Sequence, residues 1–172
     1  MRIFLQCAVL AAATLTFGQP LFAQSKVVEG NWFLSDTVDR ISGKRSVLIG
    51  VHNAAGGTLG FTCQNPGNKN AKIFATLISS KFLGQSSHLQ FIFLKFDEDE
   101  SQKVVGDYIG RNVANFSSSK FSEQAFQRVR SAKNVTVRVF RYDNIAIDED
   151  ISISPQQTIW ERFRNQCLSS NR

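Results

Sequence analysis

The chain is poor in the residues that most often carry chemistry. Of its 172 residues only two are histidine and three are cysteine. His52 closes one apolar run and His88 precedes another, and neither lies in a nucleophile motif. A Gly-x-Ser-x-Gly elbow, a helix-borne pair of metal-binding histidines and a phosphate loop are all missing. Cysteines and histidines this scattered do not make a zinc site. No catalytic residue, cofactor or metal is therefore expected. The chain also lacks a dense Lys/Arg stripe, which argues against nucleic acid as a partner. Internal repeats, low-complexity segments and signs of a second domain are missing too.

Long hydrophobic runs are equally scarce, with one exception at the N-terminus. Met1-Arg2 is a minimal positive start, Ile3 to Phe17 is almost wholly apolar, and Gly18 to Ala23 reads as a breaker and cleavage site. That is the pattern of a Sec-type bacterial signal peptide, too short and wrongly flanked for a membrane span. Residues 1–23 are expected to be removed, leaving 149 of the 172 residues, enough for one domain with a real core. The expected domain covers 24–168, residues 169–172 form a frayed tail, and the location is periplasmic or secreted. Loss of Arg2 takes the formal charge from +6 to +5, which favours an anionic envelope component or an acidic protein face as partner.

Cys7 leaves with the leader, so Cys63 and Cys167 remain in a compartment where disulfides persist. A bond between them is expected, with two buried free thiols as the alternative.

The chain between them reads mainly as β-strands. Trp32 and Leu34 share a face in Gly30–Leu34, and Ser46 to His52 is a buried strand. Gly56-Gly57 supplies the hairpin before Thr58–Cys63. After the turn at Asn65–Asn70, Ile73, Ala75 and Leu77 alternate inward. Leu89 to Phe96 is apolar on nearly both faces and is expected at the centre of a sandwich or under a helix. Asp97–Glu100 reads as a solvated turn and not a calcium loop. Val104 to Phe116 holds one or two short strands, and Val135, Val137 and Val139 alternate inward on another. Ile145 to Ile153 completes a strand pair, interrupted at Asp148-Glu149-Asp150 by what reads as solvated charge.

Two helices are expected. One starts at an N-cap Ser122, staples Phe121 onto Phe126 and runs to about Lys133. The other opens with Ser154 at the N-cap and Pro155 at the first helical position, with Gln157 as reciprocal cap. Along it Ile159, Phe163 and Cys167 recur at i, i+4 and i+8, so Cys167 faces the core, where a strand-borne Cys63 can meet it. The resulting class is a β-sandwich-like antiparallel fold with two short helices, the last tied by the disulfide to a strand. Arg128, Arg130, Lys133, Arg138, Arg141, Arg162 and Arg164 make the C-terminal half cationic. They are either one binding face or evenly spread solubilising charge.

Trp32 and Asp36 early, Leu59-x-Phe61-x-Cys63, Phe93-Leu94-Lys95-Phe96-Asp97, Val137-Arg138-Val139 and a Ser-Pro-initiated last helix ending in Cys167 form a recurring order. In this the chain resembles the TagO/VasI-like periplasmic accessory proteins of bacterial type VI secretion. The resemblance implies a small β-sandwich-like domain and a bond from the mid-chain to the last cysteine, and it carries over no catalytic residue. Lys95 stands where that family usually has arginine, and no lipid-anchor cysteine is present. The expected function is an exported, non-enzymatic protein that binds a protein partner or a cell-envelope component. The alternative is a secreted inhibitor or virulence-type factor acting on a host or competitor enzyme.

Overall fold

Alternating runs and continuous apolar runs both give strands here, and in the computed structural model ten strands pair into one antiparallel sheet. The structure describes residues 25–84 and 89–168. The expected leader, the expected tail and His88 lie outside the described residues.

The strands are β1 (Ser25–Glu29), β2 (Trp32–Val38), β3 (Arg45–His52), β4 (Thr58–Gln64), β5 (Lys72–Ile78) and β6 (Leu89–Phe96). They continue as β7 (Gln102–Ile109), β8 (Val113–Phe116), β9 (Asn134–Phe140) and β10 (Ala146–Ser152). Helix α1 (Ser119–Val129) lies between β8 and β9, and α2 (Gln157–Leu168) ends the described chain. The order across the sheet is β1-β2-β3-β4-β5-β8-β7-β6-β9-β10. The β7–β8 hairpin therefore inserts beside β5, and β6 sits between β7 and β9.

The sheet curls until its two ends meet. Asn31 Nδ2 donates to the Ser152 carbonyl at 2.7 Å, and Trp32 Nε1 donates to the Ser154 carbonyl at 2.9 Å. The inner face carries Trp32, Val47, Ile49, Leu59, Phe61, Ile73, Leu77, Ile92, Leu94, Phe116, Val137 and Ile151, all buried in one core with both helices. The fold is thus mainly antiparallel β with two helices, its halves facing each other as in a sandwich but joined in one continuous sheet.

The tie between Cys63 on β4 and Cys167 on α2 is present, with an S–S distance of 2.07 Å. Both cysteines are buried, and Ile159, Phe163 and Cys167 share the inward stripe of α2 with Trp160 on its flank. Trp160 stacks edge-on against Trp32 at 4.9 Å and packs on Phe126 of α1 at 4.5 Å. Rings of this size contribute much of the apolar burial that holds helix to sheet.

Several local expectations are corrected. α1 is capped by Ser118, whose hydroxyl accepts from Phe121 N–H at 3.1 Å, and not by Ser122. Ser122 is buried inside the helix and donates to the Ser118 carbonyl. Phe121 packs on Phe116 at 5.9 Å, and the helix ends at Val129 rather than near Lys133. α2 begins at Gln157, because the preceding segment is bonded outside the helix. There Ile153 N–H bonds the Lys133 carbonyl and Ser154 serves Trp32. β6 is central in the sheet as expected, with Ile92 and Leu94 in the core, but its other face is open: Phe91 is 49% exposed with Lys103 Nζ 3.4 Å above its ring. β10 runs unbroken through Asp148-Glu149-Asp150.

Gly106 marks a tight crossing in the sheet. A Cβ there would stand 2.3 Å from Ile92 Cδ1 and 2.7 Å from the Asn115 carbonyl oxygen. Gly106→Ala is expected to cost about 2 kcal/mol and to lower the melting temperature by roughly 5 °C. Thermal unfolding followed by circular dichroism checks this, and an unchanged midpoint would mean the strands part there without cost.

Candidate functional site

Helices α1 and α2 lie side by side over the sheet and leave a groove between them. Phe126, Trp160, Phe163, Ile73 and Cys167 form its apolar lining, and it offers about 360 Å³. That is within the size range of binding clefts. Its walls carry charges of both signs: Glu123 and Arg130 from the α1 side, Glu161 and Arg164 from α2. The disulfide at Cys167 fixes the far helix against β4, so the groove width is set by a covalent tie as well as by ring packing.

Of the seven cationic residues singled out in the sequence, the structure brings only Arg130 and Arg164 to this groove. Arg128 is paired with Asp99 and lies 5.4 Å over the Phe96 ring. Arg138 makes a two-pronged bond to Asp148 at 2.6 and 2.7 Å, on the outer face of the sheet. That bond lifts the Arg138 guanidinium further and holds the Asp148 carboxyl below its usual range. Arg141 pairs with Asp143 in the β9–β10 turn. Lys133 is exposed at the start of β9, where its backbone N–H and that of Asn134 bond the Asp97 carboxylate. Arg162 is exposed on α2. The cations form no single face.

A second polar centre lies at one end of the sheet. Glu149 occupies an inward position of β10 and is only 2% exposed. Its Oε1 accepts from Ser79 Oγ at 2.6 Å, Ser80 N–H at 2.8 Å and Ser80 Oγ at 2.9 Å. Its Oε2 accepts from Asn53 Nδ2 at 2.8 Å. Burial pushes the carboxyl up, but the bonds from Ser79, Asn53 and Ser80 together outweigh it and hold the group below its ordinary value. Gly57 makes room, since a Cβ there would lie 2.4 Å from Oε2. The expectation that Glu149 is solvated charge is therefore corrected. The signal was available in Ile147-x-Glu149-x-Ile151, whose period of two turns all three side chains inward.

His52 stands at the same end. Its Nδ1 lies 2.7 Å from Thr58 Oγ1, and its ring stacks on Phe33 at 4.6 Å. Thr58 is buried beneath this contact. Among the described residues no group of three or more His, Cys, Asp or Glu side chains is placed to hold a metal ion. None of the described helices is long and apolar enough to cross a membrane. Compared with protein families, curated proteins and solved structures, the chain matches none.

Proposed function

We propose that the chain is an exported, non-enzymatic domain of the bacterial envelope that binds a protein partner in the groove between α1 and α2. The groove itself carries the reading, with an aromatic lining and charges of both signs on its walls. Such a cleft suits an apolar side chain on a partner segment flanked by its own charged residues. The disulfide supports an oxidising compartment, where such bonds persist. The resemblance to TagO/VasI-like accessory proteins points the same way, to a secretion-machine component as partner.

Affinity capture tests it. Immobilised oxidised protein is expected to retain a stoichiometric partner from envelope fractions. The double variant Arg130→Glu/Arg164→Glu is expected to lose about tenfold in recovery. Lys44→Glu, on the β2–β3 turn, is expected to leave recovery unchanged. Equal recovery by the double variant, or no partner, would contradict the groove. Capture of a host or competitor enzyme in its place would favour an inhibitor.

A further inference from the structure

We infer that the end of the sheet built over Glu149 is a docking surface for an anionic lipid bilayer. This goes beyond the groove and is independent of it. Three loops meet at this end: residues 79–84 after β5, the β7–β8 turn at 110–112, and the β9–β10 turn at 141–145. Backbone bonds stitch them together. Ser79 N–H bonds the Asn112 carbonyl, Leu83 N–H the Arg111 carbonyl, and Tyr142 N–H the Leu83 carbonyl. The root of the first loop is held from below by Glu149 through Ser79 and Ser80.

On this fixed base the chain displays large apolar side chains. Ile78, Phe82, Ile109, Tyr142 and Ile145 are each between 40% and 62% exposed. Phe82 and Tyr142 meet edge-to-face at 6.5 Å, and Ile78 and Ile109 both pair with Val113 on β8 in one row across the sheet. A patch of this kind marks an interaction surface rather than scattered exposure.

Charge selects the occupant. The three loops carry Lys81, Arg111 and Arg141 against one carboxylate, Asp143, which is bound to Arg141. Asp148, the next acid on β10, is bonded by Arg138 and lies close enough to Lys81 for that cation to lower its carboxyl further. Aromatic and aliphatic tips inside a basic rim fit the boundary between acidic headgroups and acyl chains. Arg111, together with Lys81 beside Asp148, would face phosphate while Phe82, Tyr142 and Ile145 enter the interface.

Flotation of the full chain with vesicles tests this. The protein is expected to float with equimolar phosphatidylcholine–phosphatidylglycerol vesicles and not with phosphatidylcholine alone, and rising salt should release it. Phe82→Ser/Ile145→Ser and, separately, Arg111→Glu are each expected to weaken binding about tenfold with unchanged melting temperature, because these residues are exposed. Absence of binding by the unaltered protein, or equal binding by the variants, would overturn the proposal. So would rim variants that lose a captured protein while the unaltered protein ignores vesicles, since the surface would then bind protein and not lipid. Loss of vesicle binding with intact Arg130/Arg164-dependent capture would leave the groove standing.

Discussion

Replacing Glu149 by leucine is expected to cost about 4 kcal/mol, because it strands several donors built to face a carboxylate. Ser79 Oγ, Ser80 N–H, Ser80 Oγ and Asn53 Nδ2 all point at its two oxygens. Glu149 is itself buried, so these donors lie away from bulk solvent. For a domain of this length the expected fall in melting temperature is about 10 °C. Glu149→Gln keeps the shape and loses the charge, so its cost should be smaller. The pH dependence carries a sign that separates charge from shape. The folded chain holds this carboxyl below its ordinary value of 4.5, so the unfolded chain takes up the proton first. Its contribution is therefore complete above that value and disappears as pH falls through the lower, folded one. Glu149→Gln is expected to flatten the acid limb of the stability profile, leaving the part due to Asp148, Asp143 and Asp39, which are also held low. Denaturant unfolding across acidic pH measures this. A profile as steep as that of the unaltered protein would show that Glu149 gains nothing from its ionised state.

Opening the disulfide is the second large effect. The bond closes a loop of 104 residues, and chain entropy assigns up to about 4.7 kcal/mol to a loop near that length. Cys63→Ala/Cys167→Ala is expected to melt about 10 °C below the oxidised protein, and reductant should bring the unaltered protein close to the variant. α2 is held to the sheet by ring packing as well, through Trp160 on Trp32 and Phe126 on Phe163. The reduced protein should therefore stay folded at low temperature. Melting curves with and without reductant decide it, and coincident curves would show that the bond only decorates a helix already fixed.

What was legible in the sequence was whatever period dictates. The inward sides of β2, β5 and β9 follow from alternation, β3 from its buried β-branched run, and Cys167 from its place on the Ile159–Phe163 stripe. What was hidden depended on tertiary partners. β1 was missed because it is a short edge strand whose alternating Val27 and Val28 lie next to the apolar leader. Ser122 looked like a cap, but Ser117 to Ser119 offer competing hydroxyls and Ser118 took the role. Ser154-Pro155 has the chemistry of a helix start, yet that stretch bonds to Trp32 and Lys133 and lies before the helix. The acid triplet in β10 misled most: three charges in a row read as loop, while the partners of Glu149 come from 69 to 96 residues away. Arg130 and Arg164 line one groove only because α1 and α2 pack together, which composition does not encode.

The proposed exported role depends on the Cys63–Cys167 bond forming in the cell. Peptide mapping without reductant, on protein recovered from the producing cells after free thiols are blocked, tests it most directly. The expected result is a linked peptide pair containing Cys63 and Cys167, in a chain that starts near Gln24. Two blocked, unlinked thiols in a chain that keeps its first 23 residues would contradict it.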